Sequence, residues 1–367
     1  MGHATYHDAL EKTFRESIPE VEFTGVKLTE CPKSLPSRIA YKLLTLPVPM
    51  LGPRDYLRLR LELGSSLYAR QTLRKMIKTT RPDVLHIHTQ AIALLARDLM
   101  AKVPTVINID YTTALLARDH PHPAEITYRP IIVLEQKCFQ AAAHVLCWND
   151  KARKSVMEDY GIAPEKVTTV HPAVPLEMFL HMERGGESTR PKPRLLFVGN
   201  DFERKGGWDL VKVFQEGLSQ SCELDIVSNA AVTLPAIPGL RQHRGLKPLS
   251  AELLELYRQA DIFVLPSHED VFPMAFVEAM AAGLACVGTR VMAIPEMVED
   301  GYNGILIQPR DVTALKLSLT TLIQDAPLRR KMGENGRKKA RAEFDNIINY
   351  RRIAEIFRQV ANTGAAQ

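Results

Sequence analysis

Three acids, Glu269, Asp270 and Glu278, flank the start of a helix-like stretch in SHEDVFPMAFVEAMAAG, residues 267–283, directly after the strand-like DIFVLP. Pro273 suits a first helical turn, where its missing N–H has no partner to lose, and Gly283 suits the end. The amides of Met274, Ala275 and Phe276 are then expected to point outward with the positive end of the helix dipole. That is a site for an anion, phosphate above all. Glu278, about one turn further on, can accept two adjacent hydroxyls such as a ribose offers. Asp270, in the loop, can meet a second polyol. The alternative is that both acids only favour the helix N-terminus electrostatically.

A second candidate is FVGNDFERKGGWDL, residues 197–210. A strand is expected to end at Gly199, and Arg204 and Lys205 precede the pair Gly206-Gly207 before a helix. Two cations beside a flexible glycine pair can clamp a diphosphate, Lys as a point charge and Arg as a fork. The spacing is neither a P-loop nor a dinucleotide GxGxxG, and the alternative is a solvated basic turn. In HIHTQ, His86 and His88 share one strand face near its carboxyl end. They offer half a zinc site, with no third or fourth ligand at a sensible spacing, so a satisfied buried pair, or His88 facing a cleft, is the reading preferred. Asp110, closing the next strand in NIDYTT, either touches a substrate or caps the segment that follows.

The elements that must position these residues alternate. Strands are expected at DVLHIH (83–88), PTVINI (104–109), HVLCW (144–148) and KVTTVHP (166–172), with helices over 91–102, 125–142 and 151–160. The polar, Gly- and Pro-rich MERGGESTRPKPR, residues 182–194, reads as a linker. Alternation then restarts with strands at RLLFVG, CELDIVS, DIFVLP, LACVGT and GILI, and two long helices near 311–324 and 327–360. Strand–helix alternation of this kind implies parallel sheets covered on both faces, and ligands at the carboxyl ends of the strands. The boundaries expected are 1–181 for an N-terminal domain, 182–193 for the linker, 194–344 for a second domain, and 345–367 for a C-terminal helix that packs back on the first domain.

The chain has 367 residues, enough for two cores, with 46% apolar and 24% charged residues and a net charge of +5. That balance does not indicate a nucleic-acid partner. No apolar run approaches the roughly 20 residues of a membrane span, and MGHATYHDALEKTF lacks the apolar core of a signal peptide. The five cysteines, at 31, 138, 147, 222 and 286, show no paired spacing and read as reduced thiols of a cytoplasmic protein. Between Arg38 and Arg81 ten Lys and Arg face only Asp55 and Glu62. This basic region is either a solvated helix face or an attraction to anionic lipid, which would place the protein peripherally at the inner face of the membrane, or to a phosphate-bearing acceptor.

Taken together, EKVTTVHPAVPLEMF, LLFVGNDFERKGG and YRQADIFVLPSHEDVFPMAFVEAMAAGLACVGT resemble, in that order, the segments of the retaining glycosyltransferases of family 4. The resemblance covers most of the chain. It implies the α/β GT-B fold, two tandem Rossmann-like doubly wound domains facing a central cleft. Its signature of two acids separated by seven residues selects Asp270 and Glu278 and leaves Glu269 out. By the resemblance, Glu278 binds the nucleotide ribose and Asp270 faces the donor sugar. Phe272 and Met274 present amides near phosphate and sugar, with Gly199 and Gly2 also at the donor. Arg204 and Lys205 neutralise the leaving diphosphate, while His88 and Asp110 are candidates, from their strand ends, to face the acceptor or the cleft. Asp stands at 270 where Glu is commoner, Asn200 where many members have Arg, and Asp110 where many have His. The opening MGHATYHDAL matches the family from its glycine loop onward, so the first strand is expected to be missing from this chain or supplied differently.

The implied reaction moves a sugar from a UDP-sugar or GDP-sugar to a hydroxyl of a carbohydrate or lipid-linked acceptor with retention, in the synthesis of bacterial-type surface polysaccharide, glycolipid or another glycoconjugate. No cofactor and no metal is required. The alternatives are a nucleotide-sugar-binding partner subunit without activity, or another GT-B enzyme such as a sugar phosphorylase or epimerase.

Overall fold

The structure, a computed structural model, describes residues 3–26, 42, 46, 56–119, 125–179, 182 and 191–365. By its contacts the chain divides into two units. One runs Pro172–Asn349; the other joins the described residues up to His171 to those from Tyr350 onward. Gly2 and most of the expected linker lie outside the described residues.

The second of these units carries a parallel sheet of β1 (Leu85–His88), β2 (Thr105–Ile109), β3 (His144–Cys147) and β4 (Val167–Thr169), in that order. β2 is central and buried at all five positions, which is why it reads as a near-continuous apolar run. Among the described residues β1 is an edge and pairs only with β2, Leu85 opposite Thr105. The helices His3–Ser17, Leu57–Thr80, Glu125–Ala141 and Asp150–Glu158 belong to this unit. From Tyr350 onward the helix Asn346–Ala365 packs here too, with Tyr350 edge-on to Tyr6 and Phe357 against Phe14.

One expected helix is corrected. Residues 91–102 form a 3-10 turn, Gln90–Ile92, and a short helix, Arg97–Met100, in place of one continuous helix. Buried Ser66 explains the break: its hydroxyl donates to the Ile92 carbonyl at 3.0 Å and accepts from the Leu95 amide at 2.8 Å, using groups a continuous helix would pair internally.

The Pro172–Asn349 unit holds six parallel strands: β5 (Arg194–Val198), β6 (Glu223–Val227), β7 (Leu240–His243), β8 (Ile262–Val264), β9 (Ala285–Thr289) and β10 (Gly304–Ile307). Their order is β10-β9-β8-β5-β6-β7. The chain builds outward from β5 through β6 to β7, then returns to β5's other side at β8. The order therefore reverses between β5 and β8, where such folds open a crevice at the carboxyl ends. β7 was not expected, because LRQH has no apolar run. It is an edge strand held by charge: Arg241 Nε and His243 Nε2 meet Asp225 Oδ1 of β6 at 2.9 and 2.7 Å.

The long helix expected over 327–360 is two helices, Ala326–Glu343 and Asn346–Ala365. Phe344 and Asp345 leave helical pairing to bridge Val174: the Val174 amide donates to the Phe344 carbonyl at 3.1 Å, and the Asn346 amide to the Val174 carbonyl at 3.3 Å. Asp345 marks the restart locally, its Oδ1 accepting from the Ile348 amide at 3.0 Å as an N-cap, while the bridging partner Val174 lies far away in the chain.

Candidate functional site

Adjacency of β5 and β8 brings the loops that follow them together. Gly199 ends β5's run, and a Cβ there would lie 2.4 Å from Lys205 Cδ, so a glycine is what lets the lysine side chain fold back across the strand end. Gly206 takes φ +72°, and a Cβ on it would sit 2.1 Å from the Pro266 carbonyl oxygen; only glycine fits that approach between the loops. The His268 amide donates to the Arg204 carbonyl at 2.8 Å, which ties them.

Lys205 Nζ meets Asp270 Oδ2 at 2.5 Å, with both side chains 13% exposed. A solvated basic turn is therefore not where Lys205 sits. Arg204 lies 3.8 Å from the same oxygen, pairs with Asp201 at 2.7 Å, and donates to the main-chain carbonyl of Glu269. The adjacent acids thus play different parts: Asp270 presents its carboxylate to the cations, and Glu269 presents its backbone.

The helix Met274–Ala281 begins one residue later than expected. Pro273 is its N-cap rather than its first residue, and its carbonyl accepts from the Phe276 amide at 3.0 Å. The Phe276 amide is therefore not open. The amides of Met274 and Ala275 have no acceptor among the described residues. Gly283, at φ +75°, closes the helix, with the Leu284 amide reaching the Ala279 carbonyl at 2.9 Å. Phe272 and Met274 are buried, Phe272 against Phe344.

Glu278 is 2% exposed. Tyr257 donates its hydroxyl to Glu278 Oε2 at 2.7 Å, while Oε1 is buried and has no partner among the described residues. Burial pushes the Glu278 pKa up to about 7 despite the Tyr257 hydrogen bond. The expectation of a carboxylate open at both oxygens is thus refined: one oxygen is committed to Tyr257, the other is an unused acceptor. Tyr257 was missed because it reads as the apolar face of the helix Ala251–Gln259. His268, whose Nε2 meets Asp209 Oδ2 at 2.7 Å, was also missed. Removing the Tyr257 hydroxyl with Tyr257→Phe is expected to leave the Glu278 carboxyl wholly unpartnered and to cost about 1–3 kcal/mol of stability, read in a denaturant melt.

The remaining expected residues belong to the other unit. His88 is buried against the rings of Tyr6 and Trp148, at centroid distances of 5.0 and 5.1 Å, and those two rings also touch each other at 5.0 Å. Asp110 is half-buried, and its main-chain carbonyl accepts from Asn149 Nδ2 at 2.7 Å. Gly2 lies outside the described residues. Among the described residues no three His, Cys, Asp or Glu side chains gather as metal ligands, and no helix is long and apolar enough to cross a membrane.

Comparison with known proteins gives this geometry a context. Residues 37–178 match the model of Glycosyltransferase Family 4, and residues 183–339 that of Glycosyl transferases group 1. The N-acetyl-alpha-D-glucosaminyl L-malate synthase of Bacillus anthracis is 37% identical over 90 residues, 24% of each chain. The chain thus spans about a quarter of that relative. Sucrose-phosphate synthase from Thermosynechococcus elongatus superposes with a TM-score of 0.69 at 16% identity, covering 84% of this chain and 80% of that one. Anabaena HepE in complex with UDP-glucose gives 0.61 at 16% identity, covering 80% and 82%. Two glycosyltransferase family models matched in order, on two Rossmann-like units with parallel sheets, support a GT-B glycosyltransferase of the family 4 type.

Proposed function

We propose that the protein transfers a sugar from a nucleoside-diphosphate sugar to a hydroxyl acceptor with retention at the anomeric carbon. The observation that carries this reading is the meeting of Lys205, Arg204 and Asp270 beside the open amides of Met274 and Ala275 at the β5/β8 switch point. A diphosphate there meets two cations and a helix N-terminus. It competes with Asp270 for Lys205, and the released carboxylate accepts hydrogen bonds from the hydroxyls of the donor sugar. The unpartnered Glu278 Oε1 supplies the acceptor for a ribose hydroxyl. The bond from the anomeric carbon to the diphosphate oxygen breaks as that from the acceptor oxygen forms on the same face, and the leaving oxygen takes the acceptor's proton. Lys205 and Arg204 stabilise the charge on that oxygen, and the protein's remaining task is orientation.

The donor is a UDP- or GDP-sugar; the structural relative solved with UDP-glucose supports the first. A thermal-shift panel of UDP, GDP, ADP and their sugars tests this, since a ligand at 100 times its dissociation constant adds about 2.7 kcal/mol. Binding of a nucleoside diphosphate without release of any from the donors tried would sink the transferase reading and favour a partner subunit that only binds. Phosphate-dependent cleavage would favour a phosphorylase, and epimerisation without an acceptor an epimerase.

The acceptor is a carbohydrate or lipid-linked hydroxyl. On the helix Leu57–Thr80, Arg58 pairs with Glu62, and Arg70 and Arg74 with Asp98, while Lys75 and Lys78 stand exposed. Binding to anionic liposomes, weakening as salt is raised, is expected from this face. Absence of binding at low salt would remove the membrane part of the proposal.

A further inference from the structure

Two loops frame the donor residues: 199–206 after β5 and 265–273 after β8. The close approach of Gly206 to Pro266 brings them near each other, but that contact is not directional. Polar side chains supply the direction. Lys205 Nζ meets Asp270 Oδ2 at 2.5 Å, and Arg204 donates to the Glu269 carbonyl. His268, in the second loop, donates from Nε2 to Asp209 Oδ2 at 2.7 Å. Asp209 stands in the first turn of the helix Gly207–Val213 that continues the first loop.

Donor binding treats these crossings differently. A diphosphate takes Lys205 from Asp270, the sugar hydroxyls take the freed carboxylate, and Arg204 serves the same diphosphate. The ligand asks for neither partner of the His268–Asp209 pair. A carboxylate in a first turn has an electrostatic reason to be there, since it faces the positive end of the helix dipole. That reason does not account for an imidazole brought to it from fifty-nine positions away. The carboxylate only accepts, so His268 Nε2 carries the hydrogen. The side chains are 17% and 25% exposed, so solvent screens the pair less than it would a surface pair.

His268 also crosses the gap with its main chain, its amide donating to the Arg204 carbonyl at 2.8 Å. Its neighbour Ser267 is fixed to the sheet, the Ser267 carbonyl accepting from Thr289 Oγ1 of β9 at 2.6 Å. One residue is thus anchored on β9 and bonded twice to the segment that carries Arg204 and Lys205. We propose that His268 is a positioning residue for sugar transfer, which holds the two donor loops in register through Asp209 while Lys205 exchanges Asp270 for the diphosphate. This rests on the donor reading of the site. Without His268, the free protein keeps the Lys205–Asp270 tie, but the donor complex loses it when geometry matters most: a misplacement of about 1 Å can cost about 10²-fold in rate.

The test compares wild type with His268→Ala, His268→Gln and Asp209→Ala, free and with saturating UDP or GDP. Hydrogen exchange is followed over residues 199–207 and 266–272, and kcat and KM are measured on the donor the wild type turns over. His268→Ala and Asp209→Ala are expected to exchange like wild type when free, and about tenfold or more faster with the nucleotide bound. Their kcat should fall about tenfold or more with donor KM within about threefold. His268→Gln, whose side-chain amide can still donate to Asp209, should restore both. Equal loosening of the free and bound forms would overturn the proposal, because the pair would then be an ordinary brace of the fold. Wild-type kcat in His268→Ala would overturn it too, and Asp209→Ala decides the matter if His268→Ala does not fold. Failure of wild type itself to bind either nucleotide would remove the donor reading, and this proposal with it.

Discussion

Lys205→Ala is expected to lower donor turnover about 10²-fold or more, the loss typical when a fixed charge that stabilises a developing oxyanion is removed. The effect should fall mainly on kcat, because the charge on the leaving diphosphate grows as the glycosidic bond breaks. Arg204 cannot take over: it is tied to Asp201 and to the Glu269 carbonyl, and lies 3.8 Å from Asp270. The same substitution strips Asp270 of its 2.5 Å partner. Lys205→Ala/Asp270→Asn therefore separates the roles. If Asp270 serves only as the lysine's counter-ion, the double variant should be no worse than the single one; if Asp270 also holds the sugar, it should be worse still. Turnover close to wild type in Lys205→Ala would remove the diphosphate assignment altogether.

Glu278→Gln is expected to move function and stability in opposite directions. The carboxyl titrates at about 7 in the native protein against 4.5 for an unperturbed Glu. Between those values the native state holds a proton that the unfolded chain has lost, so stability falls as pH rises through that window. Above it the protein carries a buried carboxylate with one unpartnered oxygen, at a cost on the order of 3 kcal/mol. Glutamine keeps the shape and can still accept from Tyr257 without ionising. Glu278→Gln should accordingly be more stable than wild type at pH 8, with the advantage vanishing near pH 4.5. Donor affinity should drop about tenfold or more, through loss of a charged acceptor for ribose hydroxyls. In wild type that affinity should also be about tenfold lower at pH 6 than at pH 8, as the carboxylate protonates, and Glu278→Gln should show no such dependence. A parallel pH dependence of stability in both proteins would discard the titration at about 7. Unchanged donor affinity would discard the ribose contact.

Much of the candidate site was legible because it rests on local rules. A proline, a run of helix formers and Gly283 define the helix Met274–Ala281 within one residue. The spacing of Asp270 and Glu278 follows from which side of that helix start each occupies. Gly199, Lys205 and Gly206 fit a strand–loop–helix turn that any reader of β-period followed by helix-period would place. The strands β1 to β6 and β8 to β10 were legible because buried parallel strands are continuous apolar runs. Polar β7 was not, since its stability comes from Asp225 and Glu223 on the neighbouring strand.

By itself the sequence determined the alternation of strands and helices, the positions of the cations and acids, and the family resemblance that orders them, because each depends on residues close together in the chain. The tertiary structure decided the rest. It set Lys205 against Asp270 across sixty-five positions of sequence, gave one oxygen of Glu278 to Tyr257, and broke two expected helices through Ser66 and Val174. All of these are pairings between distant segments, and their energies depend on burial and approach that exist only once the two sheets have formed.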